Sequence, residues 1–406
     1  MEDELIDLIV GDLFSESPNI IKLQKTIENK LKLTSDDADD LLYKTVAGLN
    51  KSLFPPIEGI ELVLTEGCNL ACSYCFEKNM LGYRQMPLSV AKMAIDLLFK
   101  YSNEQSKLDI TYFGGEPMLN FPAIKFATEY ALKKASSQNK SIYFNTTTNG
   151  ILLTDSMINY FYKNKIKVLL SIDGVKETHD KFRVDKNGKG TFAKVYENLK
   201  LLKEKQPWVG IKMTVMPTEC SRLFNNILEL HDLGVNQFII GPATGVHWSS
   251  QDSDCFLSEM KRIYDWYIDY SGSDLRIAEF EESKNEPFFG CHAGRTNIAI
   301  STDGQISPCS KILAIENNNL ISKLGDVYFG LFNFRNRSRL INCSELRSEC
   351  DRKGISEEYR GGCFATNYYE TKNIFHPNMH DYYFEKAKRL KIPIVTQKSS
   401  KIAHKI

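Results

Sequence analysis

Between Ile57 and about Tyr270, short apolar runs rich in β-formers alternate with helical patterns, and this alternation constrains the fold more than any other feature of the chain. The runs at 60–65, 108–113, 141–147, 167–172, 209–215 and 237–241 predict strands. Apolar spacing at three and four residues predicts helices near 88–102, 121–136, 155–164, 191–205 and 222–233. Strands separated by helices of this length run parallel and connect through right-handed crossovers. The expected class is therefore α/β, a partial (β/α)6 TIM barrel. Six strands fall short of the eight that close a barrel, so one side of the mouth should stay open, which suits a substrate as large as a peptide. Active residues in such folds sit at the C-terminal ends of the strands.

The flanks differ from this core. Residues 1–56 read as helices, with Leu5, Leu8, Ile9 and Leu13, then Ile20, Ile21, Leu23, Ile27 and Leu31 recurring at helical spacing. Thr34-Ser35-Asp36-Asp37 supplies a cap for a third helix through about Leu49, and Pro55-Pro56 closes the segment. The expected organisation is an N-terminal helical segment over 1–56, the partial barrel over 57–285, a cysteine-rich extension over 286–385 and a basic tail over 386–406. Six acids and no base stand in residues 1–16, and seven bases and no acid in residues 386–406, while the formal net charge is zero. Such charge runs commonly remain solvated faces. A zero balance argues against a nucleic-acid partner. The acidic start lacks the basic-then-apolar pattern of a signal peptide, and no run reaches the roughly 18 apolar residues of a membrane span, so a cytoplasmic protein with no membrane partner is expected. In that compartment ten cysteines read as metal or cluster ligands rather than a disulfide framework.

Three of those cysteines lie in one loop directly after the first strand, in Leu64-Thr65-Glu66-Gly67-Cys68-Asn69-Leu70-Ala71-Cys72-Ser73-Tyr74-Cys75. Three thiolates within eight residues can hold three corners of a cubic 4Fe-4S cluster. The fourth iron then keeps open positions, where it can chelate a small molecule and pass it an electron. The bland alternatives are a zinc loop or three unrelated core thiols. Zinc sites usually show paired C-x2-4-C units, which this spacing is not.

The C-x3-C-x2-C spacing, with Tyr74 before the last cysteine, resembles the signature loop of radical S-adenosylmethionine (SAM) enzymes. The resemblance implies that Cys68, Cys72 and Cys75 hold the cluster and that its open iron binds the SAM methionine, whose reductive cleavage gives a 5′-deoxyadenosyl radical. Gly114-Gly115-Glu116, after the second strand, resembles the family's GGE motif, in which backbone and Glu hold the SAM amino group; two glycines would also let backbone approach a ligand. Thr148 and Asn149 follow the third strand, and Ser171 and Asp173 the fourth; short polar side chains there can bond ribose hydroxyls. Arg183 offers a fork for the methionyl carboxylate. Singly, Asn-Gly and Asp-Gly are ordinary turns. Their order matches the SPASM-type branch of the family, and Gly241-Pro242-Ala243-Thr244-Gly245 resembles its adenine-contacting segment. His179 reads equally as a capping residue or a ligand.

Beyond residue 290 come Cys291, Cys309, Cys343, Cys350 and Cys363. Thr302-Asp303-Gly304-Gln305 is a hairpin turn signal between short strands at 297–301 and 305–307, which brings Cys291 and Cys309 together at its base. The region resembles the SPASM extension of peptide and enzyme maturases, which carries auxiliary 4Fe-4S clusters. Five cysteines are fewer than the seven or eight that extension supplies for two clusters, so at least one auxiliary cluster is expected, with its ligands unassigned. A structural zinc ribbon is the alternative. Cys220 and Cys255 read as small apolar residues.

The resemblance implies a peptide maturase, of the sactipeptide or ranthipeptide kind, served by an electron donor of flavodoxin or ferredoxin type. Hydrogen abstraction from a ribosomally made precursor peptide would be followed by cross-linking, a thioether favoured, with the auxiliary cluster accepting the second electron. Formylglycine formation, as in anaerobic sulfatase maturases, is one alternative. That branch places an Asp base directly after the cysteine corresponding to Cys309, where this chain has Ser310, a side chain with no useful basicity. A non-catalytic, metal-stapled peptide-binding protein is the other.

Overall fold

The structure is a computed structural model that describes residues 2–206, 209–270, 272, 274–281, 288–315, 321–356 and 359–382. The basic tail over 386–406 lies outside the described residues. In chain order the elements are α1 (Glu2–Leu13), α2 (Ile20–Leu31), α3 (Ser35–Leu53), β1 (Gly59–Val63), α4 (Leu88–Tyr101), β2 (Lys107–Phe113), α5 (Phe121–Ser137) and β3 (Ser141–Thr148). There follow α6 (Asp155–Lys163), β4 (Ile166–Ser171), α7 (Lys176–Phe182), α8 (Phe192–Lys205), β5 (Gly210–Val215), α9 (Leu223–Asp232), β6 (Gln237–Pro242), α10 (Ser250–Asp269) and β7 (Arg276–Ile277). The C-terminal region adds β8 (Asn297–Ile300), β9 (Gln305–Ser307), α11 (Ser310–Leu313), β10 (Gly325–Asp326), α12 (Phe334–Asn342), α13 (Ser344–Arg352) and α14 (Phe364–Thr371). Strands β1 to β6 fall where the alternating pattern places them, each followed by helix, and the class is α/β. Among the described residues no helix is long and apolar enough to cross a membrane.

Two compact units are each assembled from separate stretches of chain. The first takes Met1–Cys68, Glu77–Asn145 and Gly290–Glu345, and the second Asn69–Phe76, Thr146–Phe289 and the chain from Leu346 onward.

In the first unit β1 pairs parallel with β2, Gly59 opposite Asp109 through Val63 opposite Phe113. The hairpin expected at 297–307 forms, with Ala299 opposite Ser307. Its first strand has a second partner that sequence did not reveal: β8 runs parallel to β1, Gly59 opposite Asn297 through Leu62 opposite Ile300. A four-residue apolar run satisfies either pairing, so its periodicity cannot say which sheet it joins. The strands β9 and β10 continue antiparallel.

The N-terminal helices form as read. The Thr34 hydroxyl accepts the Asp37 amide at 3.2 Å and caps α3, satisfying one of the orphan donors of its first turn. Leu5, Ile9, Leu13, Ile20, Leu23, Ile27, Leu42 and Val46 make one apolar cluster with Phe332 and Phe334. Leu8, Ile21 and Leu31, which share the helical spacing, lie exposed. Arg337, 1% exposed, braces this cluster to the residues after Cys291. Its guanidinium donates to Asn50 Oδ1 at 2.5 Å and to the carbonyls of Pro55, Arg295 and Gly294 at 2.7, 3.2 and 3.3 Å. Every described bond of this buried cation goes to a neutral acceptor, and burial holds its pKa down to about 10. Helices and cysteine region thus share one core inside this unit.

In the second unit β4, β5, β6 and β7 pair parallel in that order. A Ser249/Asp252 capping box starts α10.

Candidate active site

In the first unit the chain leaves β1 and runs through Thr65, Glu66 and Gly67 to Cys68 against the turn that follows β2. The Gly115 amide donates to the Thr65 carbonyl at 3.1 Å, and the Glu116 amide to the Gly67 carbonyl at 2.8 Å. A Cβ on Gly114, at φ 123°, would stand 2.4 Å from the Thr65 oxygen, and one on Gly115 2.4 Å from the Gly67 oxygen. The two glycines therefore serve a backbone-to-backbone approach that fixes the start of the cysteine loop, a use the sequence did not suggest. Glu116 is 1% exposed, and its Oε1 accepts the Met118 amide at 3.1 Å, capping a 3-10 turn over Pro117–Asn120.

Two further carboxylates escaped the sequence reading. Glu77, 5% exposed, has an Oε1 with no hydrogen-bond partner, and its pKa is pushed up to about 8 by burial, then by the charges of Glu61 and Glu116. Glu61 on β1 accepts the Ser310 amide at 2.8 Å. Position 77, two after Cys75, was the available signal for the first; nothing in the sequence marks the second.

In the second unit the rest of the cysteine loop is strapped to the segment after α7. The Ala71 amide donates to Val184 at 2.8 Å and the Ser73 amide to Phe182 at 3.2 Å, while Leu70 bridges Asp185. The Cys75 amide turns back to the Cys72 carbonyl at 3.2 Å. Asn149, after β3, donates from Nδ2 to Asn69 Oδ1 at 2.9 Å and accepts the Ile151 amide on its own Oδ1. Thr148 accepts the Gly150 amide at 3.0 Å, so both residues shape the turn. Ser171 is buried at the end of β4.

Asp173 is the hub of this unit. One carboxylate receives the Tyr74 hydroxyl, the Thr214 amide at 2.9 Å and two arms of Arg183, Nε at 2.9 Å and Nη2 at 3.1 Å. The guanidinium stands 5.4 Å from the Tyr74 ring centre. Burial alone would lower the Arg183 pKa; the Asp173 charge, with Tyr74 and Cys72, outweighs it and raises it. Burial pushes the Cys72 thiol up, against the pull of Arg183.

His179 belongs to the scaffold. Thr191 Oγ1 donates to the Arg183 carbonyl at 2.7 Å, so the 3.1 Å contact from His179 Nε2 must be the imidazole donating to Thr191. That leaves Nδ1 a bare acceptor, buried and unpaired, in a residue 0% exposed. Burial first, then Arg183, holds the pKa down to about 4 from 6.5. Between those values the unfolded chain binds the proton and the folded one does not, so this group's stabilisation is complete above pH 6.5 and is lost as pH falls through the window, about 3 kcal/mol at its limit. In His179→Gln the titration is gone and the amide still donates to Thr191. Denaturant midpoints between pH 6.5 and 4 should fall less steeply for the variant than for the parent; parallel slopes would contradict the assignment.

The later cysteines are placed as follows. In the first unit Cys291 accepts the Ala293 amide at 3.5 Å, Cys309 precedes α11, and buried Cys343, at φ 50°, donates its thiol to the Leu340 carbonyl at 2.9 Å. In the second, burial and then Asp351 push the Cys350 thiol up to about 11. Cys363 starts α14 after three consecutive left-handed residues, Arg360, Gly361 and Gly362, at φ 54°, 82° and 68°. Buried Cys220 donates its thiol to the Asp252 carbonyl at 3.8 Å.

No disulfide joins any of the ten cysteines, and Cys68, Cys72 and Cys75 are half-buried. Among the described residues no three His, Cys, Asp or Glu side chains are gathered as the ligands of a single metal ion would be. Three separate, soft thiol donors in one loop are a donor set of the kind that spreads over several irons of a cluster.

Residues 62–241 match the Radical SAM superfamily. The chain is 28% identical to a cysteine-type anaerobic sulfatase-maturating enzyme of Clostridium novyi over 269 residues, 60% of this chain and 71% of that one. It is 26% identical to the antilisterial bacteriocin subtilosin biosynthesis protein AlbA of Bacillus subtilis over 354 residues, 81% of this chain and 72% of that one. Its fold is similar to the structure of native anSMEcpe with bound AdoMet and Cp18Cys peptide, at a TM-score of 0.66 and 21% identity, covering 82% of this chain and 96% of the other. The chain carries a radical SAM domain in the radical SAM α/β fold, and it is an enzyme.

Proposed function

We propose that this enzyme matures a ribosomally made precursor peptide in the cytoplasm, taking a hydrogen from one peptide carbon and joining that carbon to a cysteine sulfur. Cys68, Cys72 and Cys75 are assigned to a 4Fe-4S cluster, and Gly114, Gly115, Glu116, Thr148, Asn149, Ser171, Asp173, Arg183 and Tyr74 to SAM and its surroundings. Bound there, cluster and SAM supply a one-electron reductive cleavage that yields the 5′-deoxyadenosyl radical, with electrons delivered by a flavodoxin or ferredoxin type of donor. The chain's own part is to fix the loop that holds them. In the first unit the Gly114-Gly115 turn clamps residues 65–67, before Cys68; in the second the strap at 182–185 clamps residues 70–73, around Cys72. Closing a thioether after one hydrogen abstraction releases the thiol proton and leaves one electron to remove. Cys291, Cys309, Cys343, Cys350 and Cys363 are assigned to at least one auxiliary cluster that accepts it.

The observation that favours cross-linking over formylglycine formation is the residue type at Ser310, an alcohol where a side-chain base would stand. Formylglycine formation is the second reading, favoured by the Glu61 carboxylate that accepts the Ser310 amide and by the sulfatase-maturating relative. The test is co-expression with a cysteine-containing peptide encoded beside the gene, followed by mass spectrometry. A thioether removes two hydrogens from the peptide and abolishes alkylation of one cysteine. A peptide that instead gains a hydrazine-reactive aldehyde overturns the cross-linking reading in favour of the second.

A further inference from the structure

In the first unit the chain returns along the root of the cysteine loop. The Gly82 amide donates to the Glu66 carbonyl at 3.1 Å, the Glu66 amide to Arg84 at 3.0 Å and the Met86 amide to Leu64 at 2.8 Å, so residues 82–86 run antiparallel to 64–66, just before Cys68. Asn120, in the turn after β2, ties the two stretches together, its Nδ2 donating to the carbonyls of Leu64 at 2.9 Å and Met86 at 3.2 Å. Three large apolar side chains on this ribbon and turn are left to solvent: Tyr83 is 99% exposed, Leu119 38% and Leu81 37%. Their nearest glycines place the two leucines over the loop root. A Cβ on Gly67 would stand 3.4 Å from Leu119 Cδ1, and one on Gly115 3.0 Å from Leu81 Cδ2. Arg84, on the same ribbon, is paired with Glu66 at 2.7 Å and Asp303 at 3.2 Å, so its charge is balanced within the chain.

Large apolar side chains scattered singly on a surface are ordinary, whereas a gathered set marks a place of contact. This set lies over the start of the loop that must receive an electron. Redox encounters bury less surface than standard interfaces, so a patch of this size suits a brief visit by a donor, while a stable second copy would need a larger face. A flavin offers the carbon edge of its fused rings, which matches an apolar patch whose cation is already paired. We propose that Leu81, Tyr83 and Leu119 form the docking patch for a flavodoxin-type donor, whose reduced flavin gives one electron to the cluster held by the cysteine loop. This rests on the reading that Cys68, Cys72 and Cys75 hold a 4Fe-4S cluster. The flavin is oxidised by one electron and the cluster reduced by one.

The test compares two reductants on the full chain, reconstituted anaerobically and supplied with SAM: dithionite, which needs no docking site, and flavodoxin kept reduced by NADPH and its flavoprotein reductase. Tyr83→Asp changes a side chain that packs on nothing in the chain and puts into the contact a carboxylate that must be desolvated. The flavodoxin concentration that gives half the maximal rate of 5′-deoxyadenosine formation should rise about tenfold, while the dithionite-driven rate stays at the parent value. Leu119→Ser, which only trims the patch, should raise it by less, and Tyr83→Phe, which keeps the ring, should match the parent. A Tyr83→Asp protein with the parent's dependence on flavodoxin would overturn the inference, and one that in addition lost peptide modification under dithionite would give the patch to the substrate. A parent dimer that the substitution dissociates would overturn it in favour of a second copy. A parent that forms no 5′-deoxyadenosine even with dithionite would overturn the cluster reading as well.

Discussion

Cys72→Ala is expected to abolish formation of 5′-deoxyadenosine from SAM under dithionite. Main-chain bonds fix the residue on each side of Cys72, and the Cys75 amide closes onto its carbonyl. Alanine keeps all the backbone bonds and removes only the sulfur, so the loop should fold unchanged while the donor set drops to two thiols. Two thiolates cannot hold a cube with one defined open iron, and it is that iron which places the SAM methionine. The loss should reach the background of cluster-free protein. Purified variant that still released 5′-deoxyadenosine at a measurable fraction of the parent rate would contradict the role given to the loop.

Cys363→Ala is expected to separate the two halves of the chemistry: SAM cleavage persists and modified peptide disappears. Cys363 follows three residues in the left-handed region, of which only Gly361 and Gly362 adopt it freely. A Cβ at Gly361 would stand 2.4 Å from Leu346 Cδ2, and one at Gly362 2.3 Å from the Tyr359 hydroxyl. Arg360 carries the same backbone geometry with a side chain, a conformation that persists only where its surroundings enforce it. The turn delivers Cys363 to the head of α14, where its carbonyl receives the Asn367 amide at 2.9 Å. Alanine leaves that bond in place. Peptide product at the parent yield would remove any catalytic part for an auxiliary cluster at Cys363.

The sequence was legible wherever the information is local. Strands β1 to β6 and the helices between them follow from periodicity, and the α3 cap from Thr34 and Asp37. What stayed hidden depends on partners far apart in the chain. Tyr74 and Asp173 are 99 residues apart, and nothing in either neighbourhood says that one carboxylate collects Tyr74, Arg183 and Thr214. Glu61 lies on a strand whose alternation gives no sign of Ser310, 249 positions on. Nothing near Gly114 and Gly115 in the chain shows that their bareness also admits the carbonyl oxygens of Thr65 and Gly67. The parallel pairing of β8 with β1 was hidden because four apolar residues carry too little pattern to choose a neighbour.

The central claim is that the polypeptide gives the cysteine loop three thiolates and leaves one iron open. It is tested most directly by measuring iron, acid-labile sulfide and the EPR spectrum of the full-length protein after anaerobic reconstitution and dithionite reduction, before and after SAM is added. About four irons and four sulfides or more per chain, with a signal that shifts when SAM binds, is the result this account predicts. Protein that takes up zinc in place of iron and sulfide, or a reduced-cluster signal indifferent to SAM, would contradict it.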